Sequence, residues 1–406
     1  MRITKREFLY FAILLFVLVL IFALNILAGG TITSPQNLAI DLASPPDSPQ
    51  DWLVQDWTLV KYRALFKLIV RGTWSLFFAP TDAWSFFVVF VVWSFVFFYC
   101  TVIAFYYFLR VLDFDRRTSF IGGLVFLAAP PVLLAYKYPV FTREDVLAYF
   151  LVTLGLIAIF KLKPALMSLI AAAGALTRET TLILPLTYLL ASNDSRRKRI
   201  AYIIPPLLAL VGVRLLWGYA NGNALESSIL NFLFPGETLA FMFCVFGALW
   251  IPIVMGMRDR WQQRNSLSYA WHVLTVSSPF ILVLVIGAAL FLAREREIRS
   301  SFIIFPWAIP FALDWFRNRT EYFARLAKNY RYWIFAFSIF ALLSAGVLAF
   351  HLTNPGLMKD LLADFKNGYW LVIGTLNLSA TLAIFLPMLY RRSAAPRVSL
   401  NLGREK

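Results

Sequence analysis

Long apolar runs recur along the whole chain and limit what it can fold into. A helix of about 18 or more apolar residues is long enough to cross the ~30 Å hydrocarbon core of a bilayer. Only 15% of the 406 residues are charged, whereas soluble domains carry about 25%. The sequence therefore predicts an all-α, polytopic integral membrane bundle that forms a single transmembrane domain over residues 1–406. About 12 membrane-crossing segments are expected, at residues 8–29, 83–109, 118–135, 146–161, 165–177, 181–192, 200–218, 238–256, 273–293, 302–316, 332–351 and 369–390.

The net charge of +16 is distributed as a topology signal. Most of the basic residues lie in short loops that alternate with loops holding most of the acidic residues. Lys and Arg accumulate in cytoplasmic loops of membrane proteins, so the pattern predicts that both termini are cytoplasmic. It argues against nucleic acid as a partner and indicates membrane lipids instead. The basic start and the apolar run 8–29 are interpreted as a retained first helix rather than a cleaved signal.

The stretch 165–192 decides whether the topology is consistent. As one long helix it would place the basic run 196–199 outside and invert every later loop. A break at 177–180 restores the alternation and leaves two short helices of ~20 Å each. Short helices are tolerated where their ends are buried in protein or face a wet cavity. We therefore expect Arg178 and Glu179 to lie recessed at the outer side.

The largest loop, residues 30–82, faces outward and contains an amphipathic segment at about 56–78. Apolar residues at helical spacing predict a juxtamembrane helix that lies in the interface plane. Asp56 stands at its start, where it is either a helix cap or a catalytic or ligand-binding carboxylate. Both readings stay open at this point. The predicted apolar face comprises Leu59, Tyr62, Leu65, Phe66, Ile69 and Val70.

Further charged residues cluster in three outer loops. Each alone is typical of a solvated helix end, but ionisable residues near membrane depth usually face the bundle interior or a cavity. Carboxylates beside guanidiniums suit a site that activates a hydroxyl and binds a phosphate through two oxygens. The residues are Glu144 and Asp145, then Arg178 and Glu179, then Arg294, Arg296, Glu297 and Arg299.

This arrangement resembles the GT-C-fold glycosyltransferases, which use polyprenyl-phosphate-linked sugar donors. The resemblance covers residues 1–316. It consists of Asp56 with an amphipathic helix in the first outer loop, the acidic pair Glu144–Asp145 opening a helix, the motif Leu176–Glu179 joining two short helices, and Glu297 with Arg299 before a Pro-interrupted segment.

The resemblance implies a function and roles for these residues. A sugar would pass from a lipid-phosphate-linked donor to an acceptor at the outer face, in a bacterial plasma membrane. Asp56 would be the general base, with Asp41 as the second candidate among several Asp residues of that loop. The phosphate would be held by Arg178 and by the loop 294–299, while Glu144 and Asp145 would orient the acceptor or bind a divalent cation. Carboxylate ligands suit Mg²⁺ or Mn²⁺, but no metal site is assigned and no other cofactor is expected.

Two other functions are compatible with the sequence. A transporter or flippase commonly shows internal repeats and charged residues along a central path. The halves show no repeat, and Arg214 is the one clear charge within a predicted span. A non-catalytic membrane subunit is the other alternative.

Overall fold

The computed structural model describes residues 4–27, 64–78, 83–133, 143–217, 232, 235–292, 301–353 and 369–394. Every secondary-structure element in these ranges is helical, which confirms the all-α class. By length and composition, five helices could cross a membrane, at Lys5–Asn25, Val88–Val111, Arg196–Leu216, Thr238–Gln262 and Tyr269–Phe291. The multi-pass character is therefore supported. The full number of about 12 spans and the cytoplasmic termini stay predictions.

The chain divides into two compact units, the first of which comprises residues 1–246 and 250–318. Its helices are α1 (Lys5–Leu27), α2 (Ala64–Phe77), α3 (Ala83–Val111), α4 (Arg116–Leu127), α5 (Pro130–Leu133), α6 (Arg143–Phe160), α7 (Pro164–Ala175), α8 (Ile183–Ala191), α9 (Arg196–Trp217), α10 (Pro235–Phe246), α11 (Trp250–Gln262), α12 (Tyr269–Leu292) and α13 (Phe305–Arg317).

Helix α1 packs antiparallel against α3. Near one end the ring of Phe11 meets that of Tyr106 with centroids 5.2 Å apart, and near the other end Phe22 meets Phe95 at 6.2 Å. The hydroxyl of Tyr106 also donates to the buried carboxylate of Glu7 at 3.2 Å. Residues later in α1 therefore contact residues earlier in α3, as expected for neighbouring spans that cross a membrane in opposite directions.

Two short helices lie between α6 and α9. Helix α7 ends at Ala175 and a 3₁₀ turn, Glu179–Leu182, precedes α8, so the predicted break within 165–192 is present. The chain then reverses, because Leu184 packs on Gly155 so closely that a Cβ there would lie 2.4 Å from a Leu184 methyl carbon. Gly155 lies ~15 Å along α6 from Asp145, so α8 runs back beside α6 rather than extending α7.

Stacked aromatic rings fill the centre of the first unit. Phe305 contacts Phe126 at 4.7 Å and Phe105 at 5.1 Å, and all three side chains are buried. Phe302 stacks on Phe305 at 5.4 Å and meets Tyr149 at 5.8 Å. Aromatic pairs at these distances prefer tilted or edge-to-face geometry and stabilise beyond the area they bury. The cluster fixes the start of α13 in the middle of the bundle.

The end of α13 is held to α11 by a buried ionic network. Arg260 donates two hydrogen bonds to the carboxylate of Asp314, at 2.6 and 2.7 Å, and Arg317 donates a third at 2.8 Å. The helices come this close because Gly256, one turn before Arg260, lies against the backbone of Phe311. A Cβ at Gly256 would stand 2.2 Å from the Phe311 carbonyl oxygen.

The second unit comprises residues 247–249 and 319–406. Its described helices are α14 (Thr320–Ala327), α15 (Tyr330–Thr353) and α16 (Tyr369–Ala394), and α15 packs against α16. The short turn Gly247–Leu249 belongs to it, because the side-chain oxygen of Asn377 accepts a hydrogen bond from the amide of Ala248 at 3.2 Å. Gly247 has φ +54 and faces Asn377 so closely that no side chain fits.

Candidate functional site

The predicted site residues fall into three groups by what the structure describes. Asp145, Arg178 and Glu179 are described in full. The backbone of Glu144 is described within α6, but its side chain is not. The remaining candidates lie outside the described residues, and their roles stay predictions: Asp41, Asp56, Arg294, Arg296, Glu297 and Arg299.

Asp145 and Arg178 form a buried ion pair. Asp145 stands in the first turn of α6 and is 1% exposed, and Arg178 follows the end of α7 and is 5% exposed. Their carboxylate and guanidinium groups are in direct contact. Removing two charges from water is expensive, and close pairing offsets that cost. The sequence grouped these residues only by side of the membrane, and the fold brings them together.

A second, looser ion pair lies beside the first. The side chain of Glu179 is 26% exposed, that of Arg214 in α9 is 48% exposed, and their nearest atoms are 3.9 Å apart. This distance is an ionic contact and exceeds a hydrogen bond. Two carboxylates and two guanidiniums therefore stand together, the arrangement that we call the recessed cluster: Asp145, Arg178, Glu179 and Arg214.

The N-terminus of α2 docks beside this cluster. The amide of Leu65 donates to the carbonyl oxygen of Leu176, two residues before Arg178, at 3.0 Å. Aromatic and apolar residues of α2 at helical spacing, Phe66, Val70 and Trp74, are buried. The first two belong to the predicted apolar face, so amphipathicity is present in the described part of the segment 56–78. How α2 lies relative to a membrane plane stays a prediction.

Two tryptophan–hydroxyl bonds fix α2 along α3. The indole of Trp74 donates to Ser85 at 2.9 Å, and that of Trp93 donates to Thr73 at 3.0 Å. Phe66, near the start of α2, is 6.1 Å from Phe97 by ring centroids. These contacts extend over several turns of α3, so α2 runs antiparallel beside it, with its N-terminal end toward the recessed cluster.

The short helices set the depth of the recessed cluster. Helix α7 has 12 residues, which rise ~18 Å, whereas the hydrocarbon core is ~30 Å thick. If α7 begins at one membrane boundary, beside Lys161 and Lys163, then Arg178 lies ~21 Å along this direction and roughly 9 Å short of the other boundary. The recessed position of Arg178 and Glu179 in the membrane stays a prediction.

The described chain resumes at Ser301, near the helix that carries Asp145. The side chain of Ser301 is buried, and Phe302 contacts Tyr149. Tyr149 lies one turn of α6, ~6 Å along the helix, after Asp145. Phe302 therefore packs on α6 about one helical turn from the ion pair. Arg299 is two residues before Ser301 in sequence.

Sequence reasoning missed three contributors. It noted Arg214 only as a charge within a predicted span, whereas the structure pairs it with Glu179. Within the described part of the chain, the buried hydroxyl oxygens of Thr180 and Ser301 make no hydrogen bond. Buried polar groups are usually hydrogen-bonded, so these two hydroxyls are exceptions to that rule. A charged residue within an apolar run was the one signal that could have identified Arg214.

Metal ligation finds no support among the described residues. No three His, Cys, Asp or Glu side chains in that part of the chain lie close enough to hold an ion. Asp145, a predicted cation ligand, instead contacts a guanidinium. The other candidate carboxylates lie beyond the described side chains, so the divalent-cation alternative is untested.

Comparison of the chain with protein-family models, with curated proteins and with solved structures finds no match. Function is therefore inferred from the residues and their geometry.

Proposed function

We propose that this protein is a membrane glycosyltransferase of the GT-C type, which transfers a sugar from a lipid-phosphate-linked donor to an acceptor at the outer face of a bacterial plasma membrane. The observation that carries the proposal is the recessed cluster. Carboxylates and guanidiniums from separate helices meet at the ends of short helices. A cluster among apolar helices can be reached by a donor whose polyprenyl chain lies in the lipid.

The reaction has one bond-forming and one bond-breaking event at the sugar. The acceptor hydroxyl oxygen bonds to the anomeric carbon while the bond from that carbon to the phosphate oxygen breaks. The acceptor proton passes to a carboxylate, for which Asp56 is the first candidate and Asp41 the second. The lipid phosphate leaves with the electron pair, and guanidiniums stabilise the charge that develops on it.

The geometry suggests distinct roles within the recessed cluster. Asp145 is occupied by Arg178, so it acts as a positioning residue for the guanidinium rather than as a base. Arg214 is half exposed and lies 3.9 Å from Glu179, so its guanidinium is accessible to a phosphate oxygen. Arg294, Arg296 and Arg299 would complete the phosphate site from the loop that ends at Ser301, and Glu144 and Glu297 would orient the acceptor.

A transporter or flippase is the second candidate, and the same cluster favours it. Short helices that end inside a bundle, with ionised groups at their ends, also occur at transporter binding sites. The two functions differ in product. A transferase forms a new glycosidic bond, whereas a flippase returns the donor chemically unchanged on the other side of the membrane.

The test is sugar transfer from a polyprenyl-phosphate-sugar panel to acceptors in proteoliposomes. Arg178→Lys should lower donor affinity or turnover about 10- to 150-fold, because one charge-assisted hydrogen bond contributes ~1.5–3 kcal/mol and Lys lacks the planar fork. In the same assay, Asp56→Asn should lower the transfer rate about 10²- to 10⁴-fold, because Asp56 is the proposed general base.

Arg196→Lys, on the exposed first turn of α9, is the matched control and should keep wild-type activity. Wild-type turnover by Arg178→Lys would remove the proposed phosphate contact. If the wild type transfers no sugar but moves labelled donor between leaflets, the flippase replaces the transferase.

A further inference from the structure

A second charged surface lies far along the chain from the recessed cluster, on α14 and its junction with α15. Residues 319–333 contain four basic residues and one acidic residue, Glu321, together with five aromatic residues. No residue of α14 is buried. Three of the four basic residues are exposed and form what we call the α14 basic surface: Arg325, Lys328 and Arg331.

The two sides of α14 differ in chemistry. Tyr322, Phe323 and Leu326 fall on one side of the helix and are half buried, whereas Arg325 and Lys328 fall on the opposite side and are exposed. This division follows the helical period of 3.6 residues. A helix with one apolar side and one basic side is the pattern of segments that lie in the membrane interface.

The corner between α14 and α15 is fixed. The indole of Trp333 donates to the carbonyl oxygen of Ala327, the last residue of α14, at 2.8 Å. The guanidinium of Arg331 lies 5.8 Å from the ring centroid of Tyr330. Helix α15 is a 24-residue, largely apolar helix that coincides with the predicted span 332–351, so we infer that its first turn lies at a membrane boundary with α14 beside it.

We propose that the α14 basic surface binds the headgroups of anionic phospholipids. Tyr and Trp favour the headgroup level of a bilayer, and clusters of Lys and Arg beside a spanning helix attract anionic lipid. The half-buried side of α14 leaves its basic side facing outward from the described unit. The site is independent of the sugar-transfer chemistry proposed above.

The test uses the full chain in detergent, with pyrene-labelled phosphatidylglycerol as the anionic probe and pyrene-labelled phosphatidylcholine as the neutral one. Energy transfer from tryptophan reports binding. The double variant Arg325→Gln/Lys328→Gln should bind the anionic probe about 30-fold more weakly, from the contribution of each basic residue near an anionic surface. Binding of the neutral probe should not change.

Arg325→Lys/Lys328→Arg is the matched control, since it keeps both charges on the exposed side of α14. It should keep wild-type affinity for the anionic probe. Equal loss in both double variants would show that the charge is not what binds the lipid and would overturn the site. Undiminished binding by the double Gln variant would overturn it as well.

Discussion

At the residue scale, the capping carboxylate of Asp115 offers a test by pH. Asp115 precedes α4, and its two oxygens accept hydrogen bonds from the amide and hydroxyl of Thr118, at 2.9 and 2.7 Å. Partial burial alone would raise the pKa of Asp115, but these hydrogen bonds outweigh it and the pKa is lowered. The capping contribution is therefore complete above the unfolded pKa of about 3.9 and is lost as pH falls through the lower folded value.

We expect Asp115→Ala to cost ~1 kcal/mol of stability near neutral pH, as loss of a helix cap does. The gap between wild type and variant should close as the pH falls below about 4, because the protonated wild type loses the same contribution. Thermal unfolding in detergent across this range measures it. Asp113→Asn, in the same turn, is the control, since it keeps the Asp115 cap and should not reproduce the loss of stability near neutral pH. A gap that does not vary with pH would contradict the capping role.

At the element scale, the approach of α11 to α13 depends on one glycine. Gly256→Ala should destabilise the fold by more than ~1–3 kcal/mol, the usual range for overpacking, since the added carbon meets the Phe311 backbone and not a flexible side chain. Gly212→Ala in α9, where nothing lies within 4 Å, is the control. It should be neutral or stabilising by up to ~1 kcal/mol. Thermal unfolding compares the two, and similar melting temperatures would contradict the close contact.

The helices also show what the sequence could and could not predict. The break between α7 and α8 followed from charge alternation, because the basic run 196–199 had to return to the inner side. The pairing of Asp145 with Arg178 did not follow, since hydropathy gives the length of a helix and not its rotation about its axis. For the same reason the Gly256–Phe311 approach was not foreseen, although it positions Arg260 on Asp314.

At the scale of the whole molecule, the predicted topology can be tested by labelling. Single cysteines at Ser48 and Ser228 should react with an impermeant thiol reagent added outside cells, whereas cysteines at Ser195 and Asn318 should react only after permeabilisation. The two native cysteines, Cys100 and Cys244, lie within helices and are replaced first. Labelling of Ser195→Cys from outside would show that the predicted orientation of all spans after α8 is inverted. Arg178 would then lie on the opposite side from the later loops that are predicted to be outer.

The all-α class also followed from composition, whereas the docking of α2 beside the candidate site required the fold. Apolar runs predicted spanning segments because lipid leaves no other partner for backbone groups. They did not predict that Leu65 donates to Leu176, since the long loop before α2 carries no periodicity that specifies where the helix docks.

The shortness of α7 has an electrical consequence. A group roughly 9 Å inside a ~30 Å insulating layer experiences about 30% of the transmembrane voltage. A full elementary charge gains ~2.3 kcal/mol per 100 mV, so an anion entering this recess from outside works against about 0.7 kcal/mol per 100 mV when the interior is negative. In proteoliposomes with an imposed potassium diffusion potential, the KM for an anionic donor should rise about threefold per 100 mV. A KM that does not change with voltage would show that the phosphate binds at the membrane surface.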